Sequence, residues 1–262
     1  MDNENQSLFV EERKARILLM LQENSKLLVP DLCKIFNVSP ATIRNDLRDL
    51  AQENKLIRTH GGAISIEKTS FEPTYADKES LFENEKKRIA LCAASLVEDG
   101  DTIAIDSGST NLEFAKCLLE KKRLTVVTND IKIASCLEKN PDANIILLAG
   151  SLRHGFQCTV GPLALATLRG LNVDKAFMAT NALSSSKVFT TPDIGQAEVK
   201  KCMIQIASER IMLCDSSKFN KVSFAEFATM DDIDKLITDS NLSPKMSAYL
   251  NDLEDTIKVF IV

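Results

Sequence analysis

Residues 38–64 read VSPATIRNDLRDLAQENKLIRTHGGAI, and the punctuation of this stretch decides the N-terminal fold. Ser39 is a good N-cap, and Pro40 suits a first helical turn, where no amide partner is needed. A helix is therefore expected from Pro40 to about Gln52. Within it Ile43, Leu47 and Leu50 recur at i, i+4 and i+7, giving one narrow apolar stripe. At about 100° per residue, Ala41, Asn45 and Arg48 point away from the stripe, with Thr42 and Arg44 on its flanks. Asp46 falls near the buried edge, and a structural role is expected for it. The outer face presents a hydroxyl, an amide and two guanidiniums, the groups that reach base edges and phosphates in a major groove.

Upstream, residues 11–22 place Ile17, Leu18 and Leu21 on one helix face behind an acidic first turn. A second helix is expected from Pro30 to Phe36, with Leu32, Ile35 and Phe36 on a common face. Downstream, Leu56 to Ile64 reads as two short strands around a basic turn, the wing of a winged helix. Arg58 and His60 would then lie beside the DNA backbone or minor groove. Three helices alone fit a small bundle with a solvated polar face equally well. The wing tips the balance toward DNA. The expected DNA contacts are Ser39, Ala41, Thr42, Arg44, Asn45, Arg48, Arg58 and His60.

Net charge does not advertise this. The chain has 262 residues and a formal charge of −5. Residues 1–68 hold ten Lys+Arg against ten Asp+Glu; the rest, 22 against 27, carries the whole deficit. DNA contact must come from where charges point. Seven scattered cysteines without a CxxC pair read as reduced thiols packed in cores. With only two histidines, His60 and His154, a His-rich metal cluster is excluded; no metal and no cofactor is expected. The GxSxG elbow of hydrolases is absent. No apolar run approaches a membrane span, and the polar, acidic N-terminus lacks the form of a signal peptide. A cytoplasmic location is expected.

Residues 67–86 are polar and charged and read as a linker between a DNA-binding domain at 1–66 and a second domain at 87–262. From Lys87 onward strands and helices alternate, with strands expected at 102–105, 124–127, 145–148, 176–178, 211–213, 235–237 and 258–262. That order calls for a mostly parallel sheet with helices on both faces. Ligands bind such sheets at the carboxyl ends of the strands. The residues there are Asp106-Ser107-Gly108-Ser109-Thr110-Asn111, Thr128-Asn129-Asp130, Ala149-Gly150 and Asp215-Ser216-Ser217-Lys218. A glycine and hydroxyls opening a helix suit an anion such as phosphate. Capping alone explains one such turn; four polar strand ends in one sheet make a site.

Two sets of motifs carry a resemblance. VSPATIRNDLRDL followed by IRTHGGA closely resembles the N-terminal signature of the DeoR family of transcriptional regulators. DSGST, TND, DKAF, QAEVKK and DSSKF resemble the successive motifs of that family's sensor domain, which is similar in fold to ribose-5-phosphate isomerases and coenzyme A transferases. The resemblance implies a phosphorylated sugar as effector, with Ser107 to Thr110 on the phosphate. It places Asp106, Thr128, Asn129, Asp193 and Lys218 around the sugar or the phosphate, and Lys200 as a further cation. Lys200 also reads as a solvated lysine on a helix over 196–207. Three positions depart from the family. Asn45 stands where a second arginine is typical, which favours adenine over guanine. Gly150-Ser151 replaces a diglycine. Gln196 stands where glutamate is common; an amide contacts a sugar but cannot shuttle a proton.

The leading expectation is a repressor of carbohydrate-metabolism genes, no enzyme, working as a homo-oligomer (dimer or tetramer) on double-stranded operator DNA. Two alternatives stay open here. One is a sugar-phosphate isomerase or transferase with an appended helical domain; the other is a DNA-binding protein whose second domain only oligomerises.

Overall fold

A computed structural model describes residues 2–24, 26–53, 55–59, 61–65, 69, 72–73, 75–243, 246, 248, 250 and 257–262. The chain divides into two compact units, 1–68 and 69–262.

The first unit is a winged helix. It runs α1 (Asp2–Asn24), β1 (Lys26–Leu28), α2 (Val29–Phe36), α3 (Pro40–Gln52), β2 (Leu56–Thr59) and β3 (Gly62–Ser65). The strands form an antiparallel sheet in the order β1-β3-β2. Strand β1, which the sequence did not suggest, completes the wing by pairing Leu28 with Gly62. A Cβ at Gly62 would lie 1.8 Å from the Leu27 carbonyl oxygen, so the second glycine of the diglycine is fixed by strand packing. Ile17, Leu21, Leu32, Ile43, Leu47, Leu50 and Leu56 form the core. The expected face of α2 needs correction: Leu32 is buried but Ile35 is exposed, and Val29 takes the inward place.

The second unit opens with α4 (Tyr75–Ser80) and α5 (Glu83–Ser95). Then β4 (Thr102–Ile105), α6 (Ser109–Lys116), β5 (Thr125–Thr128), α7 (Ile131–Leu137) and β6 (Asn144–Leu147) alternate. A hairpin of β7 (Ser151–Arg153) and β8 (Cys158–Val160) leads to α8 (Pro162–Leu168) and β9 (Val173–Ala179). After β10 (Ala182–Leu183) and β11 (Val188–Thr191) come α9 (Ile194–Gln205), β12 (Ala207–Leu213), β13 (Ala225–Thr229), β14 (Lys235–Thr238) and β15 (Lys258–Ile261). Seven strands make one sheet in the order β15-β14-β12-β9-β4-β5-β6, every pair parallel.

Alternation along each strand feeds two cores. Ile103 and Ile105 of β4 pack with α5, α6 and α7 on one face, while Ala104 between them joins the core under α8 and α9 on the other. Phe114 of α6 stacks on Phe177 of β9 at 4.3 Å between ring centroids, tying helix to sheet. A small antiparallel sheet, β10-β11-β13, shares the second core through Leu183, Phe189 and Phe227. Neither it nor the β7–β8 hairpin was legible as strands. The connection expected over 67–86 is not a free linker along its length: from Thr69 its described residues belong to the second unit, and Tyr75, Leu81 and Lys86 are buried. Among the described residues no helix is long and apolar enough to cross a membrane.

Candidate DNA interface and effector site

In the first unit α3 is positioned from behind. Ile43, Leu47 and Leu50 are buried, and so is Asp46, which Arg13 of α1 clasps through Nε at 2.6 Å and Nη2 at 3.1 Å. The bidentate pair sets the rotation of α3 about its axis and gives Asp46 its structural role. Ser39 Oγ accepts from the Thr42 amide at 3.2 Å, capping the helix as its sequence foretells. The rotation leaves Ser39, Ala41, Arg44, Asn45 and Arg48 exposed and Thr42 half-exposed. Arg58 is exposed on β2, while His60 lies outside the described residues.

In the second unit the carboxyl ends of β4, β5, β9 and β12 gather the polar residues. Asp106 ends β4 fully buried. Its Oδ2 accepts from the Ala179 amide at 3.0 Å and pairs with Lys200 Nζ, which also donates to the Ala179 carbonyl at 2.9 Å. Lys200 is 2% exposed, so it is no solvated lysine. Gly108, with φ of 155°, opens α6; a Cβ there would lie 3.1 Å from that of Ala179. It offers no side chain to cap the helix, so the first-turn amides beside the buried Ser109 and Thr110 receive no side-chain cap. Thr128 and Asn129 are buried at the end of β5, and Asn129 Nδ2 donates to the Thr159 carbonyl at 3.0 Å. Asp130 caps α7 through the amides of Lys132 and Ile133. Burial pushes its carboxyl up to about 6, against the hydrogen bonds from Ile133, Ser107 and Lys132 that favour the anion.

Gln196 is buried, accepting from Thr191 Oγ1 at 3.1 Å and donating to Cys158 Sγ at 3.4 Å. Asp193 caps α9 through the Gln196 amide and pairs with Arg153 Nε at 3.4 Å. Asp215 is buried; Lys218 lies 3.8 Å away and, with Ser217 and Lys86, holds the Asp215 carboxyl below its usual range despite burial. Gly150 stands apart in kind. It is exposed, and a Cβ there would meet the Val160 carbonyl oxygen at 2.5 Å, so closing the β7–β8 hairpin accounts for it.

The structure adds residues that sequence reasoning missed. Lys78 and Lys86, from the supposed linker, feel the charges of this cluster: beyond the effect of burial, the Lys218 and Lys200 cations lower the Lys78 ammonium, while the Asp215 carboxylate supports that of Lys86 and the Lys218 cation opposes it. Lys86 Nζ donates to the Lys78 and Glu79 carbonyls at the end of α4, and burial pulls its ammonium down to about 8. Glu72, Tyr75 and Arg153 complete the surround. Burial, and then the Asp130 carboxylate, pushes the Tyr75 hydroxyl well above its ordinary range. Five side-chain atoms here are buried without a hydrogen-bond partner: Asp106 Oδ1, Asn129 Oδ1, Asp130 Oδ2, Tyr75 Oη and Arg153 Nη1. Such atoms are rare in proteins, where buried polar groups are nearly always hydrogen-bonded. Among the described residues, no group of three or more His, Cys, Asp or Glu could hold a metal ion.

Two family models match the chain: the DeoR-like helix-turn-helix domain over residues 13–69 and the DeoR C-terminal sensor domain over 82–240. The uncharacterized HTH-type regulator YulB of Bacillus subtilis is 35% identical over 94% of this chain and 95% of its own. The HTH-type regulator GlpR of Haloferax volcanii is 34% identical over 88% and 90%. The transcriptional repressor AccR of Agrobacterium fabrum is 32% identical over 88% and 90%. Among solved structures, ribose-5-phosphate isomerase A of Methanocaldococcus jannaschii overlaps 52% of this chain and 54% of its own, at 20% identity and a TM-score of 0.39, too remote to bear on chemistry. These full-length relatives are named as regulators, not enzymes. The chain belongs to the DeoR family of DNA-binding transcriptional regulators.

Proposed function

We propose that this regulator is a repressor of carbohydrate-metabolism genes whose operator binding is modulated by a phosphorylated sugar held at the carboxyl ends of β4, β5, β9 and β12. The observation that carries the reading is the pairing of two chemistries in one cluster. Lys78, Lys86, Lys200, Lys218 and the uncapped start of α6 supply positive charge for a phosphate. Buried, unpartnered oxygens on Asp106, Asn129 and Asp130 supply acceptors for sugar hydroxyls. Ser107 to Thr110 hold the phosphate in this reading, and Thr128, Asp193, Gln196 and Asp215 orient the groups around the sugar. In the cytoplasm a homo-oligomer, dimer or tetramer, presents α3 of each copy to a repeated half-site. The effector shifts the equilibrium only as far as it prefers one conformation over the other.

The test is a titration of the full chain against DNA from upstream of its own and neighbouring genes, at two salt concentrations, with and without a panel of sugar phosphates. Salt-sensitive, sequence-specific binding that one sugar phosphate changes is the expected result. Specific binding that no panel member alters sinks the effector assignment. Turnover of a sugar phosphate would return the isomerase reading.

A further inference from the structure

Glu72 lies just past the boundary between the units at 68/69, yet its side chain is only 4% exposed. Three donors converge on its carboxylate. Oε1 accepts from Lys78 Nζ and from Asn181 Nδ2 at 3.0 Å, and Oε2 accepts from Arg153 Nη2 at 2.6 Å. They come from α4, from the β7–β8 hairpin and from the turn after β9. Burial works against the charged form, but Lys78 and Arg153 hold the Glu72 carboxyl below its ordinary range. An ammonium, a guanidinium and an amide around one flat anion is the arrangement that binds any carboxylate or phosphate. The fork also has a donor in reserve, since Arg153 Nη1 is buried without a partner. Arg153 Nε also pairs with Asp193 at 3.4 Å, and Thr191 Oγ1 lies 2.9 Å from Asn181 Oδ1 and 3.1 Å from Gln196 Oε1, so this seat adjoins the effector cluster.

Resting on the sugar-phosphate reading above, we propose that Lys78, Arg153 and Asn181 form an anion subsite of the effector site, in which Glu72 is a built-in competitor. The effector's phosphate, held by Ser107 to Thr110 on its other side, takes these donors and expels the Glu72 carboxylate. A dianion with three terminal oxygens displaces a monoanion with two because it offers more charge and more acceptors to the same donors. A merely structural clamp has a different signature: the ligand binds with Glu72 still in place, so the backbone around Glu72 keeps its protection from exchange.

The experiment is calorimetric titration of the full chain and of E72Q with inorganic phosphate and with the sugar-phosphate panel. Glutamine keeps the shape and drops the competing charge. E72Q should bind phosphate between about 5- and 150-fold more tightly than wild type, the usual span of coupling between two linked events. Equal or weaker binding overturns the competitor. If E72Q does not fold, hydrogen exchange of wild-type amides 72–80 decides: faster exchange in saturating inorganic phosphate supports expulsion, and unchanged or slower exchange overturns it. The parent reading fails separately, if wild type binds no sugar phosphate saturably.

Discussion

On α3 the polar groups stand in water, while at the carboxyl ends of the parallel sheet they are sealed away from it. Arg44, Asn45 and Arg48 are exposed, and solvent satisfies their polar groups. Asp106, Asn129, Asp130 and Lys200 are buried, and several of their atoms lack any hydrogen bond. An exposed donor face costs the fold nothing and suits a large, wet polyanion met from outside. A buried and incompletely bonded cluster costs stability, and only a small ligand that enters it can recover that cost. The difference predicts that substitutions on the sheet side will change stability, whereas substitutions at the exposed Arg44 and Arg48 of α3 will change DNA affinity alone.

The largest effect belongs to the Lys200–Asp106 pair. K200M removes the cation from a fully buried carboxylate that already has one unpartnered oxygen. The expected loss is about 3–5 kcal/mol in the urea unfolding of the second unit. The double variant K200M/D106N should recover much of it, because no buried charge is then left alone. If K200M unfolds like wild type, the cluster is wetter than its burial implies and the contrast with α3 collapses.

Next comes Asp130. Its carboxyl is raised to about 6, so the folded state holds a proton that the unfolded chain releases near pH 4. Its contribution to stability is full below the unfolded value and falls as pH rises toward 6. The fall amounts to about 3 kcal/mol for a shift of about two units. D130N keeps the cap of α7, since asparagine also caps well, and should lose this dependence. The difference between wild-type and D130N unfolding free energies across pH 4 to 7 isolates the group from Glu72 and Asp215, whose shifts run the other way.

How far the sequence could see into each region follows the same contrast. The α3 face was legible because helix geometry, a cap and one apolar stripe decide what points outward, and Asp46 was placed inward on the same geometry. The strand-end motifs were legible because chain order alone sets the ends of parallel strands. Glu72, Tyr75, Lys78, Lys86 and Arg153 were not. Their burial depends on mutual pairing across long separations, such as Glu72 with Arg153, and a charged stretch looks like solvated linker until those partners meet. The strands β7, β8 and β10 were hidden for a related reason, being only two or three residues long. At Gly150 a glycine at a strand end serves a ligand or a close backbone equally well, and the approach of the Val160 backbone requires one there.

On the exposed side, R44A and R48A should each weaken specific operator binding by about 1–3 kcal/mol where the guanidinium reads a base. Where it meets a phosphate instead, affinity should fall evenly across sequences and the salt slope should drop by about 1. Unfolding stability should stay within about 0.5 kcal/mol of wild type in both. A large loss of stability in either would mean that this face is packed rather than presented.

Ser39 gives the smallest effect and the finest division, because it is both a cap and an expected DNA contact. Its Oγ accepts from the Thr42 amide at 3.2 Å and shares a hydrogen bond with Thr42 Oγ1 at 2.9 Å, so S39A should lower the stability of the first unit by about 1 kcal/mol. S39D keeps a strong cap and adds a negative charge at the end of the helix expected to enter the groove. Stability should then match wild type while operator affinity falls, and falls further at low salt, where a like charge near phosphates is least screened. If S39A weakens DNA binding and S39D does not, Ser39 acts on DNA only through the helix it caps, and its place in the interface is lost. If S39D alone does so, the exposed end of α3 approaches the phosphates directly, and cap and contact are separate properties of one hydroxyl.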